Sequence, residues 1–402
     1  MESIIQQLST QQAWEDLLAY RLRKGRFNWH EFDEADDFVA NGQYMPMALK
    51  LINGERMGVP RKIFLNKIGS NKKRVVYLFE QEEVTFLKMI SYLLYKYDSC
   101  FAPNCYAFRR GVRACDAVRR IQSKVRNRRL WAYKVDISNY FNSISVPLLL
   151  PKLKTLLADD TLLFHFFEQL LNENRAESDG VIVEEPHGVM AGVPTAPFLA
   201  NVYLSDMDFY FWQKGVIYAR YSDDIIVFAE DECTLQGYKA TIAQFLRSHH
   251  LEINQSKEQI YSPDDSYEFL GFKCLGGSVD ISTVAVKKMK MKIRRKMRAL
   301  LRWKKRKGIS DERVMSRMIA YFNHKFFESV ANNTLTWSRW YFPVINRVEG
   351  LHEIDCYLQY CIRVLSTGRH VKSNYRVTYE RLKELGYKSL VHEYYKYKES
   401  RQ

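Results

Sequence analysis

Several absences narrow the reading before any motif is considered. No apolar run in the 402 residues approaches the ~20 that a membrane-spanning helix needs. The N-terminus, Met1-Glu2-Ser3-Ile4-Ile5-Gln6, has neither the basic region nor the apolar core of a secretory signal. Together these predict a cytoplasmic protein with no membrane partner. The seven cysteines form no CxxC pair, and no histidine follows Cys100, Cys105 and Cys115 at a zinc-like spacing. They are therefore expected to be reduced thiols. Nothing in the chain repeats, and no low-complexity linker divides it. Acid is missing from one place in particular. Residues 287–307 hold thirteen Lys or Arg and no Asp or Glu, so one segment carries most of the net charge of +15. So localised a positive field points to a polyanionic partner. A solvated basic helix face is the plainer alternative.

What is present centres on Tyr221-Ser222-Asp223-Asp224. Runs of β-branched and aromatic residues flank it, Val216 to Arg220 before and Ile225 to Ala229 after, and read as two buried strands. The tetrad is then a hairpin tip. Two adjacent carboxylates there need a cation, and their hard oxygens suit Mg²⁺. An ordinary solvent-facing Asp turn is the alternative. Trp131 to Asp136 reads as a further strand that ends in a lone aspartate. Three carboxylates on neighbouring strand ends meet the needs of two-metal phosphoryl transfer, which holds two ions ~3.5–4 Å apart.

Asp136 is followed five residues later by Phe141, then by Gly192-Val193-Pro194-Thr195-Ala196-Pro197-Phe198-Leu199-Ala200-Asn201, then by Tyr221-Ser222-Asp223-Asp224. In order and spacing these resemble blocks A, B and C of reverse transcriptases. The bacterial branch of group II intron, retron and defence-associated enzymes is the nearest match. The resemblance covers residues 56–330 or so. It implies an α+β right-hand polymerase fold with fingers, a palm of antiparallel sheet plus helices, and a helical thumb. The expected division is a helical N-terminal extension over 1–55, fingers over 56–130, palm with primer-grip hairpin over 131–283, and thumb with C-terminal region over 284–402.

The same resemblance implies residue roles. Asp136, Asp223, Asp224 and the carbonyl of Ile137 would hold two Mg²⁺ ions, for which Mn²⁺ can substitute. Lys257 closes a stretch like block D and would protonate the leaving pyrophosphate, although a surface lysine is the alternative. Phe141 would lie under the incoming sugar, where a ring clashes with a 2′-hydroxyl; ordinary core is the alternative. Gly192 and Pro194 would shape the nucleotide pocket, where Ala191 replaces the family's usual Gln. Lys67 and Arg74, on a predicted basic hairpin, would contact the triphosphate. Arg109 and Arg110 would lie along the template, although the family usually has Pro and Gly after the first of them. Tyr221 would contact nucleic acid, and Leu270 and Gly271 in a block E hairpin would position the primer end. Val286, Met289, Ile293, Met297 and Leu300 form an amphipathic stripe, leaving Arg302, Lys304, Lys305, Arg306 and Lys307 to meet phosphates.

These features predict an RNA-directed DNA polymerase that uses dNTPs to copy an RNA template into cDNA. An intron protein would add DNA-binding or nuclease segments after the thumb, and no such motif is visible. A retron enzyme would carry Val-Thr-Gly in its thumb and Asn-Ala-x-x-His between blocks A and B, and neither is present. The expectation is therefore a stand-alone enzyme copying a dedicated non-coding RNA in antiviral defence. A mobile-element enzyme and a catalytically idle RNA-binding scaffold are the alternatives. The three clustered carboxylates argue against the scaffold. The sequence leaves the oligomeric state open.

Overall fold

The computed structural model describes residues 2–23, 29–66, 73–327 and 336–401. These fall into two compact units, one of residues 2–23, 29–66, 73–124 and 129–263, the other of 125–128, 264–327 and 336–401. Both mix helices with antiparallel strands, the α+β architecture expected. No described helix is long and apolar enough to cross a membrane.

The first unit holds β1 (Arg61–Asn66), β2 (Lys73–Leu78), β3 (Trp131–Asp136), β4 (Arg175–Ser178), β5 (Val181–Glu184), β6 (Tyr218–Tyr221), β7 (Asp224–Ala229) and β8 (Gln259–Tyr261). They form two four-stranded sheets, β2-β1-β4-β5 and β6-β7-β3-β8. The second is antiparallel throughout, and its central strands are buried because Val, Ile and aromatic residues occupy both faces. Helix Glu232–Ser248 packs across β3 and β7. The N-terminal residues share this unit's core. Trp14 packs edge-on against Phe86 at 5.0 Å, and Ile4, Ile5 and Leu8 are fully buried. In the helix Gln11–Arg23, Trp14, Leu17, Leu18 and Tyr20 are buried and Leu22 is exposed. Asp160 ties this region down. It caps its own helix through Leu163 N (3.0 Å) and accepts from Ser3 Oγ (2.5 Å) and Ile4 N (2.7 Å).

The second unit opens with β9 (Tyr267–Phe269), β10 (Phe272–Leu275) and β11 (Ser278–Ile281), a three-stranded meander. The β9–β10 turn is Leu270-Gly271, both left-handed at φ 51° and 86°, as the tightest hairpins require. This hairpin groups with the C-terminal helices, whereas the sequence reading placed it with residues 131–283. Helix Thr283–Lys307 follows, capped by Ser282 and ended by Gly308 at φ 60°. Its buried residues are the five of the expected stripe. In the C-terminal tail Tyr341 and Phe342 are core, while Trp337, Trp340, Tyr357 and Tyr360 are half-buried.

Candidate active site

The antiparallel register sets Asp136, last in β3, directly opposite Asp224, first in β7, and pairs Tyr221 with Asp224 across the β6–β7 hairpin. The hairpin loop is thus only Ser222-Asp223. Its first residue is left-handed (φ 63°), the demand of a primed two-residue turn. Ile137 N donates to Asp223 O at 3.1 Å, extending the ladder past the strand end. Three carboxylates therefore stand at one end of one sheet. Asp136 is buried, and Asp223 and Asp224 are half-buried.

Their electrostatics follow from that crowding. Burial, then the neighbouring charge of Asp223, pushes Asp224 up to about 6, and Lys134 opposes the shift. Asp223 is raised by burial and by Asp136. Asp136 is instead engaged by donors. Its Oδ2 accepts from Lys257 Nζ at 2.8 Å and from Asn254 Nδ2 at 3.1 Å. Burial alone would lower the Lys257 ammonium, but its hydrogen bond to Asp136 and the charges of all three aspartates outweigh that and raise it. Among the described residues no three His, Cys, Asp or Glu side chains converge closely enough to form a ready-made metal cage. The donor set itself fits a hard divalent ion: all-oxygen, carboxylate-rich and on paired strands.

Of the residues expected at the nucleotide, Gly192 lies on a segment that packs against β2. Gly192 is left-handed at φ 105°, and a Cβ there would meet Tyr77 O at 3.1 Å and Val76 Cβ at 3.3 Å, so no other residue fits without a shift. Ala191 O accepts from Tyr77 N at 2.8 Å. The Asn142 side chain accepts from Ala191 N (2.8 Å) and donates to Val75 O (3.2 Å), bolting segment to strand. Phe141, in the short helix Tyr140–Ser143, is half-buried and packs edge-on against Phe108. Pro194 is half-buried, and Arg74 is exposed on β2. Lys67 and the turn Gly69-Ser70-Asn71 lie outside the described residues.

Three expected nucleic-acid contacts have partners within the fold. The Arg109 guanidinium turns inward and donates to the carbonyls of Asp98 (2.9 Å), Cys105 (3.0 Å) and Ala102 (3.1 Å), so it pins its own loop. Arg110 instead lies over the rings of Tyr20 and Tyr92. Lys304 donates to Leu365 O (2.8 Å) and Ser366 O (3.1 Å) and pairs with Asp311 (2.6 Å), a clasp between helices of its own unit. Arg302, Lys305, Arg306 and Lys307 are exposed as expected. In the β9–β10 turn, a Cβ at Gly271 would stand 3.0 Å from Tyr341 Oη.

Sequence reasoning passed over the residues beneath the hairpin. Arg220, fully buried, forms a forked pair with buried Asp208 (2.5 and 2.9 Å) and reaches Ser222 O at 3.3 Å and Asn201 Oδ1 at 3.4 Å. Tyr218 Oη also donates to Asp208, at 2.9 Å. The available signal was an arginine inside an apolar strand, which must have a partner.

Residues 66–274 match the reverse transcriptase (RNA-dependent DNA polymerase) family. The chain belongs to it. This reverse transcriptase is accordingly an RNA-directed DNA polymerase, and reverse transcriptase domains use divalent metal ions. Solved structures similar to it include three fungal telomerases. One from Candida tropicalis, truncated of its C-terminal domain, is 12% identical over 56% of this chain, with a TM-score of 0.46. This chain spans 55% of that one. Telomerase from Candida albicans, in complex with a fragment of telomeric RNA, is 12% identical over 88% of this chain and 70% of its own, at 0.45. Apo telomerase from Candida tropicalis is 11% identical over 82% and 69%, at 0.47.

Proposed function

We propose that this reverse transcriptase copies a dedicated non-coding RNA into cDNA by two-metal nucleotidyl transfer, in bacterial antiviral defence. The observation that carries the chemistry is the register that sets Asp136 opposite Asp224, with Asp223 on the adjoining turn. These carboxylates, with the Ile137 carbonyl, would hold two Mg²⁺ or Mn²⁺ ions, which supply activation of the attacking 3′-hydroxyl and neutralisation of the leaving oxygen. Lys257 holds a proton at Nζ 2.8 Å from Asp136 and can release it to the departing pyrophosphate. Phe141 presents a ring to the sugar and selects deoxynucleotides. Arg74 and Lys67 orient the triphosphate, Gly192 and Pro194 shape the pocket, Arg110 lies along the template, Tyr221 contacts nucleic acid, and Leu270 and Gly271 position the primer end. The exposed cations of Thr283–Lys307 bind phosphates without regard to sequence.

The defence role is supported by the likeness of the three blocks to the bacterial branch and by the lack of the retron elements Val-Thr-Gly and Asn-Ala-x-x-His. On this reading the enzyme works in the cytoplasm. The test is to sequence the RNA and DNA that co-purify with the wild-type chain and with an Asp223→Ala, Asp224→Ala variant. One recurrent RNA with both proteins, and its complementary DNA with the wild type alone, is the expected result. A DNA product with both, or no recurrent RNA, would sink the proposal.

A further inference from the structure

Phe108 holds a backbone conformation that phenylalanine rarely adopts. Its φ is 60°, in the left-handed region where a bulky side chain is an outlier and where Gly or Asn would sit without strain. Its ring is not buried in recompense, being 41% exposed. Both flanks of the residue are fixed. Ala107, fully buried, has its carbonyl held by Asn201 Nδ2 at 2.8 Å. Arg109 is anchored through three backbone carbonyls, and Arg110 N donates to Asp98 Oδ2 at 2.5 Å. Tyr106 N is bonded to Arg220 O at 3.0 Å. The segment is thus over-determined on either side of the one residue it strains, the arrangement in which strain persists at functional positions.

What the strained residue touches is Phe141. The two rings meet edge to face, with centroids 6.1 Å apart and planes at 69°, a favoured aromatic geometry. Tyr140 is a second aromatic neighbour of the Phe141 ring, with centroids 5.8 Å apart.

We propose that Phe108 is the positioning residue for Phe141, a brace that fixes the ring against which the incoming sugar is measured. The inference rests on the reading of Phe141 as the sugar gate. A gate rejects a 2′-hydroxyl only if the ring cannot swing aside. A half-buried ring with one fixed neighbour can yield, whereas a ring packed against two cannot. Discrimination between ribo- and deoxynucleotides then belongs to the pair.

The test is single-nucleotide addition on a primed RNA template, with dATP and ATP compared for the wild type, Phe141→Ala, Phe108→Gly and Phe108→Tyr. Thermal midpoints are measured alongside. The brace predicts that Phe108→Gly lowers the dATP/ATP ratio of kcat/KM by about three- to tenfold, the worth of one edge-to-face contact. Phe108→Tyr, which keeps the ring, retains the ratio. The thermal midpoint of Phe108→Gly should not fall, because glycine relieves the strained φ. If Phe141→Ala loses discrimination and Phe108→Gly keeps it, the brace is wrong and the gate stands. If neither variant alters the ratio, the gate fails and takes the brace with it. A Phe108→Gly protein that melts early and loses dATP and ATP addition alike would make Phe108 an ordinary packing residue, which also overturns the proposal.

Discussion

At the end of the β3–β7 ladder charges are few and partly buried, and Asp136 and Arg220 each have close partners. Lys257 and Asn254 meet Asp136, and Arg220 meets Asp208, Asn201 and the carbonyl of Ser222. Along Thr283–Lys307 the charges are many and solvated. Lys290 pairs with Glu353 and Lys304 with Asp311, but among the described residues the other eleven cations of that stretch make no ion pair. Lys292 is held below the usual lysine range, by partial burial and then by Lys325, Arg295 and Lys288. The contrast matches two kinds of work. Chemistry on one phosphate needs ligands held in a fixed geometry, which paired strand ends can supply. Gripping a nucleic-acid backbone needs positive potential, and repulsion among unpaired cations is relieved when phosphates arrive.

The largest effect should come from the first region. Asp223→Ala with Asp224→Ala should abolish primer extension on an RNA template in Mg²⁺. Filter binding of RNA should survive, because the solvated helix is untouched. Undiminished extension would break the contrast at its root. Next in size is the scaffold under the hairpin. Asp208→Ala strands the guanidinium of Arg220 in the core and should cost ~3–5 kcal/mol in urea unfolding. Pairing Asp208→Leu with Arg220→Met removes both charges and should recover most of that loss. A single variant as stable as the wild type would mean that Arg220 is solvated, contrary to its complete burial.

Much of this was legible because periodicity and turn chemistry are local. Short runs of β-branched and aromatic residues placed β3, β6 and β7, and the stripe Val286, Met289, Ile293, Met297, Leu300 oriented its helix residue by residue. What could not be read were side-chain destinations. Arg109 and Lys304 look alike in sequence to arginines and lysines that face solvent. Their guanidinium and ammonium groups turn to carbonyls of Asp98, Cys105, Leu365 and Ser366, whose nearness only the fold creates. Arg220 advertised the need for a partner, but nothing in its spacing singled out Asp208 on the preceding helix.

A mid-sized effect separates the two roles within the basic helix itself. Changing Arg302, Lys305, Arg306 and Lys307 to Gln should flatten the log–log salt dependence of single-stranded RNA binding. Each lost phosphate contact is worth about 0.7 of slope, so the change could reach about 3. Lys304→Met should leave that slope nearly unaltered and instead lower stability by ~1 kcal/mol, because it removes hydrogen bonds to two helix-end carbonyls. If the quartet leaves the slope unmoved, the helix face is merely solvated. If Lys304 moves it as much as its neighbours do, the clasp opens on binding.

The smallest effect concerns a pair in the first unit that is only half removed from water. Asp206 Oδ1 accepts from Lys152 Nζ at 2.9 Å, and its Oδ2 lies 3.2 Å from His249 Nε2. Burial pushes the Asp206 carboxyl up, but its bonds to His249 and Lys152 outweigh this and hold it well below the usual carboxylate range. A carboxyl depressed in the folded state binds fewer protons there than in the unfolded chain. Its stabilisation is therefore complete above the unfolded pKa of ~3.9 and is lost as pH falls from there through the depressed folded value. Because the Asp206 side chain is 44% exposed, solvent screening keeps the contribution under ~1 kcal/mol. Asp206→Asn should then unfold slightly earlier than the wild type in urea at pH 7, and the gap should begin to close below about pH 4. A gap that stayed constant down to pH 3 would mean that the carboxylate acts through shape and hydrogen bonding alone, and the paired-charge account of the first unit would lose one of its members.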